Sequence, residues 1–181
     1  MTATAAPKHH PLLLALTLFA ALGSGSAGGV FFAFSSFIMK ALSRLPPAQG
    51  IAAMQSINVS VINVSFAFQL FGTAAVCIFL GAWALLHRRA AESNYQLAGC
   101  LLYLGVTMVA TFGFNVPLND ALAKVDPASP EGASLWTSFL PRWIAWNHVR
   151  TVGALAAAMS FIGAIFQLGT GGQMGTGRIR T

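Results

Sequence analysis

Long apolar runs bounded by charged residues organise this chain. No Asp, Glu, Lys or Arg occurs between Lys8 and Lys40, between Arg44 and Arg88, between Glu92 and Asp120, or between Arg150 and Arg178. Each interval can hold the roughly 20 apolar residues that a membrane-crossing helix needs. The pattern predicts four spans, at 12–39, 61–86, 97–114 and 151–168. The first has a rival reading as a cleavable leader, because Lys8 precedes an apolar stretch that ends in small residues at 23–29. The apolar run resumes at once with Val30, Phe31 and Phe32, so a retained helix is expected. Gly25 and Gly29 are then spaced for close packing against a neighbouring helix.

Two of the connections carry structure of their own. Pro46 and Pro47 open a helix through 49–63, and Gln55, Asn58, Ser65 and Gln69 form a polar stripe that runs into the second span. The connection 115–150 begins with a breaker at Pro117, crosses a turn-rich stretch at 126–132 and returns through a tryptophan-rich segment, 134–150, expected to lie at the membrane interface. The expected fold class is all-α: a four-helix transmembrane bundle, one domain over 1–168, with short interfacial helices in the first and third connections. The glycine-rich tail 169–181 is expected to be flexible.

Topology then gathers what sequence separates. With four spans, the first and third connections emerge on the same side. Gln55, Asn58, Asn63, Asn115, Asn119, Asp120, Trp136, Trp143, Asn147, His148 and Arg150 therefore come to one end of the bundle. The other end has His87, Arg88, Arg89, Glu92 and the two termini.

Composition supports lipid as the main solvent. Charged residues make up 8% of the 181 positions and hydrophobic residues 56%, with mean hydropathy +0.69, whereas soluble domains carry about 25% charged residues. The net charge of +6 comes from basic residues scattered beside apolar runs, so a nucleic-acid partner is not expected. Lys and Arg divide evenly between the two ends unless Arg150 belongs to the bundle. That exception tilts the expectation toward a multi-pass protein of a bacterial inner membrane with both termini cytoplasmic. Cys77 and Cys100 lie in apolar segments without metal-site spacing and are expected to be packing thiols.

Three groups of polar residues carry candidate chemistry. Trp143, Asn147 and Arg150 fall at i, i+4 and i+7 and share a helix face, and Trp146 is one turn from Arg150. The arginine has two readings: it snorkels to headgroups, or it faces the bundle and holds an oxyanion or carbonyl of a ligand. Asn115 and Asn119 flank Pro117 and could cap a helix end or face a ligand. His148, with Asp120 as the nearest acidic candidate, is chemically adequate as a general base. One histidine and one carboxylate do not make a metal site, so no metal is expected. No flavin or haem motif is visible and no cofactor is predicted.

The stretches GVFFAFSSFIMKAL (29–42), MQSIN (54–58), NVPLNDALA (115–123) and WIAWNHVRT (143–151), in this order and spacing, resemble a family of small integral membrane proteins that includes the fungal anthrone oxygenases. The resemblance implies oxidation of a lipophilic anthrone-like phenolic substrate to a quinone with molecular oxygen. The site residues expected for this are His148, Arg150 and Asp120 for catalysis, and Asn58, Asn63, Asn115, Asn119, Trp143, Trp146 and Asn147 for substrate. A non-enzymatic membrane protein that binds a lipid, a quinone or a partner subunit at its polar end is the competing expectation. The sequence leaves an oligomer open.

Overall fold

The computed structural model describes residues 11–170, all within helices or the short links between them. The expected flexible tail lies outside the described residues, except that Gly169 and Thr170 complete the last helix. Four helices are long and apolar enough to cross a membrane: α1 (Pro11–Leu42), α3 (Val64–Leu86), α4 (Ser93–Ala123) and α5, whose apolar span is Pro130–Gly169 and whose helix runs Pro130–Thr170. A shorter helix, α2 (Pro47–Val61), folds back between α1 and α3. The chain is thus an all-α bundle of the multi-pass membrane type.

Small residues let the helices close. The buried positions along α1 include Ala20, Ala21, Ser24, Ala27, Gly28 and Phe31, a narrow stripe on the helix that packs most extensively on α5. A Cβ at Gly28 would lie 2.7 Å from the Leu155 side chain, so its absence sets the α1–α5 approach. The expected pair Gly25 and Gly29 does less: a Cβ at Gly25 would stand 3.6 Å from that of Ala158, an ordinary contact, and one at Gly29 would meet nothing within 4 Å. Leu12, Leu18, Leu22 and Phe32 point outward, as do Phe68, Ile78 and Leu101 on the other spans. An apolar exterior of this extent, on helices long enough to span a bilayer, suits lipid rather than water. Buried hydroxyls inside the spans bond backward along their own helices, as Thr17 Oγ1 does to the Leu13 carbonyl (2.7 Å) and Thr73 Oγ1 to that of Gln69 (2.6 Å). Cys77 and Cys100 are buried free thiols in the same core.

The first connection has the expected helix. Pro47 sits in the first turn of α2, where its missing N–H costs nothing. Gln55 then donates to the carbonyls of Leu122 (2.8 Å) and Val125 (3.0 Å), satisfying the C-terminal end of α4. The polar stripe is thus mainly structural at this position. Gln69 likewise donates to the Gly23 carbonyl at 3.2 Å.

Two expected boundaries move. Pro117 does not break the chain, because α4 continues to Ala123. A widened π turn at Thr111–Asn115 precedes it, with the Val116 N–H bonded to the Thr111 carbonyl. That wider spacing relieves the clash a proline ring makes with the turn before it. The helix expected at 134–147 is present but runs unbroken, through Pro141, into the fourth span. At 41 residues α5 is about 60 Å long, roughly twice the hydrocarbon thickness. Its first turns therefore form a buttress rather than a separate interfacial helix. Trp136, Phe139 and Trp143 on that buttress pack with Met39, Ile51, Met54 and Leu122 into a second apolar core.

Candidate functional site

Between the two cores lies a cavity of about 300 Å³, at the lower end of the roughly 300–1,000 Å³ usual for small-molecule sites. All five helices line it. The walls are apolar, from Phe31 and Phe34 on α1, Met54 and Ile57 on α2, Phe66 and Leu70 on α3, and Phe112 and Val116 on α4. Phe71 and Phe112 stack at 5.8 Å between ring centres and are 54% and 44% exposed, so they form a rim on the outer apolar surface of the bundle. The polar lining is sparse: Asn58, Thr111, Asn119 and Arg150.

Arg150 is the one charged residue in that lining. It is 8% exposed. Its guanidinium carbon stands 4.1 Å from the centre of the Phe31 ring and 5.0 Å from that of Trp143. Nε donates to Asn147 Oδ1 at 2.8 Å, and among the described residues the Nη groups have no carboxylate or other hydrogen-bond partner. Of the two readings of this arginine, the bundle-facing one is what the geometry contains. An arginine packed on rings, with its fork directed at an apolar chamber, lacks a counter-anion that a ligand can supply.

Asn147 is what orients it. The residue is fully buried, and its Nδ2 donates to the Phe31 carbonyl (2.8 Å) and to Ser35 Oγ (2.7 Å). Ser35 also meets Thr151 Oγ1 at 3.3 Å, while Thr151 donates to the Asn147 carbonyl at 2.6 Å. Ser35 lies in a π segment of α1, Phe34–Ile38, and a second π segment, Thr111–Asn115, flanks the cavity from α4. Single π turns inside α-helices recur at functional sites because they re-aim side chains.

The amides on α4 support the opposite wall. Asn115 is buried and donates to the Trp143 carbonyl at 3.0 Å, leaving its Oδ1 without a hydrogen-bond partner. Asn119 accepts from Trp143 Nε1 at 2.7 Å, which locks the indole against the cavity.

A family model described as anthrone oxygenase matches residues 63–160, just over half of the chain. The chain belongs to the anthrone oxygenase family. Neither a curated protein sequence nor a solved structure matches it. In this anthrone oxygenase family member the matched segment supplies Arg150, Asn147, Trp143 and Asn119. Phe31, Ser35, Met54 and Asn58 come from outside it.

Six of the ten expected site residues meet here: Asn58, Asn119, Trp143 and Arg150 at the cavity surface, Asn147 and Asn115 directly behind it. Four do not. Asn63 is an exposed cap that accepts from the Phe66 N–H and donates to the Ser60 carbonyl. Trp146 lies outside and stacks on Phe114 at 3.4 Å. His148 and Asp120, expected as catalytic residues, are exposed and absent from the lining. The reason for His148 is helical phase: a buried Asn147 and a buried Arg150 on one face turn His148 and Val149 between them outward. Sequence reasoning missed Phe31, Phe34 and Ser35, whose signal was a pair of serines within an otherwise apolar run.

Proposed function

We propose that the protein is a membrane-embedded oxygenase that takes a flat, lipophilic anthrone-like phenol into this cavity and converts it to the quinone with molecular oxygen. The observation that carries this reading is Arg150, a ring-packed guanidinium without a carboxylate partner at the surface of an apolar chamber in a member of this family. The anthrone methylene is acidified through its enol. A fixed positive charge beside the enol oxygen favours the anion, so the site activates the substrate by shifting its acidity. Arg150 is the only ionisable residue of the lining, and a guanidinium does not act as a base; the methylene proton passes to a water admitted with the substrate rather than to His148, and the peroxide formed with dioxygen takes it up.

The chemistry closes without an outside reductant. The anthranolate carbanion carbon adds dioxygen, and a proton converts the peroxide to a hydroperoxide at that carbon. Loss of the remaining C–H proton with cleavage of the O–O bond leaves a carbonyl and one water. The methylene carbon is oxidised by four electrons and dioxygen is reduced by four. The apolar walls exclude bulk water from the anion, and the rim at Phe71 and Phe112 offers access from the bilayer, where such a substrate partitions.

The competing reading, a binding protein for a lipid, a quinone or a partner subunit, uses the same chamber without turnover. Oxygen uptake and quinone absorbance with emodin anthrone, measured on protein in nanodiscs against protein-free nanodiscs, separate the two. Turnover above the spontaneous background is expected; a rate equal to background with protein shown to be folded rejects the oxygenase reading.

The proposed setting is a bacterial inner membrane with both termini cytoplasmic. With Arg150 assigned to the cavity, the remaining basic residues favour the terminal end, the sense of the positive-inside rule. A C-terminal fluorescent-protein fusion that stays dark, paired with an active phosphatase fusion at the same point, would reverse that orientation.

A further inference from the structure

The cavity has a second polar point that the reaction at Arg150 does not use. Asn58 lies on α2, on the face that presents Met54, Ile57, Asn58 and Val61 to the chamber. Its Nδ2 is buried and donates to nothing among the described residues. A desolvated amide donor without an acceptor is unfavourable. Asn119 is engaged with the Trp143 indole, Asn147 with Phe31, Ser35 and Arg150, and Gln55 with the end of α4, while Asn115 donates to the Trp143 carbonyl and leaves only an acceptor, Oδ1, unpaired.

We infer that Asn58 is a specificity residue whose amide donates to a second oxygen of the ligand, remote from the oxygen held by Arg150. This rests on the ligand class proposed above and narrows it: the favoured compounds are flat lipophilic anthrones carrying at least one further hydroxyl or carbonyl, not the bare three-ring ketone. Arg150 comes from α5 and Asn58 from α2, so the two contacts reach the ligand from different helices of a largely apolar chamber. Such an arrangement fixes a planar molecule in register as well as in depth. A site built to hydrogen-bond a ligand hydroxyl discriminates strongly against the analogue that lacks it, because its own polar group is then left unpaired.

The test separates recognition from turnover. Affinities of emodin anthrone and of unsubstituted anthrone are measured without oxygen, by quenching of intrinsic tryptophan fluorescence in nanodiscs, for wild type, Asn58→Leu and Asn58→Gln. Wild type is expected to prefer the hydroxylated compound by about 10-fold or more. Asn58→Leu, similar in volume, should remove most of that preference by weakening emodin anthrone alone, and Asn58→Gln should restore part of it. A Leu variant that weakens both compounds equally, or neither, overturns the inference. Because oxygen is absent, a preference that depends on Asn58 in a protein with no aerobic turnover would uphold this inference while rejecting the oxygenase reading.

Discussion

Arg150 and Asn147 stand one turn apart on α5, with Nε donating to Oδ1 at 2.8 Å, and that bond aims the rest of the guanidinium at the cavity. The same asparagine ties α5 to α1 through Phe31 and Ser35. One buried amide therefore performs two tasks, joining helices and orienting the charge.

Replacing Asn147 should disturb both. Asn147→Ala removes three side-chain hydrogen bonds and leaves Arg150 Nε unpaired, a change expected to cost about 1–3 kcal/mol of stability. Thermal unfolding in a fixed detergent measures that part. Ligand affinity should fall as well, since the guanidinium is no longer held, and anaerobic fluorescence titration at a temperature where the variant is folded reads that effect separately. Unchanged affinity in a destabilised variant would confine Asn147 to a structural role.

Arg150 itself should matter more to rate than to folding. Loss of a charge-assisted contact in the transition state costs about 2–4 kcal/mol, so Arg150→Ala should slow turnover about 30- to 1000-fold. Arg150→Lys keeps the charge but loses the planar fork and its packing between Phe31 and Trp143, and should fall between the two. Steady-state oxygen uptake with folded protein checks the order wild type, Lys, Ala. A Lys variant no better than Ala would mean that the fork, not the charge, is what the ligand uses.

His148 and Asp120 give the opposite expectation. Both are exposed and neither lines the cavity, and surface substitutions away from a site usually change stability by about 0.5 kcal/mol or less. His148→Ala and Asp120→Ala should turn over within about twofold of wild type. A loss of about 100-fold in either, with the fold intact, would restore that residue as the general base.

The difference between the arginine and the histidine marks how far the sequence could be read. Charge-free runs of span length left little freedom for the number of helices, and an even count of spans forced Asn58, Asn119 and Arg150 to one end. What a one-dimensional pattern lacks is rotation. His148 and Arg150 are two residues apart and point to different faces, and the phase of α5 depends on where Asn147 finds its partners on α1. Of those partners Ser35 lies in a π turn, and the Phe31 carbonyl just before it, at a position no residue type announces. Pro117 misled for the same reason, since the π turn before it lets the helix pass.

Rotation also decides which glycine holds the bundle together, and two adjacent residues test it. A Cβ at Gly28 would lie 2.7 Å from Leu155 Cδ2 and 3.3 Å from the Leu155 backbone nitrogen, whereas one at Gly29 would meet nothing within 4 Å. The leucine side chain can swing aside, but its backbone moves only if α5 moves. Gly28→Ala should therefore destabilise the protein by about 1–3 kcal/mol as the α1–α5 contact opens. Gly29→Ala places the same methyl group on the outer face of a regular helical turn, where the higher helix propensity of alanine makes the change neutral or stabilising by up to about 1 kcal/mol. Thermal midpoints of the two variants in the same detergent should fall on opposite sides of wild type or, at the least, differ clearly. The opening at Gly28 should also weaken ligand binding, because Phe31, one turn further along α1, packs on the Arg150 guanidinium. Equal midpoints for the two variants would show that α1 is rotated away from the face described here.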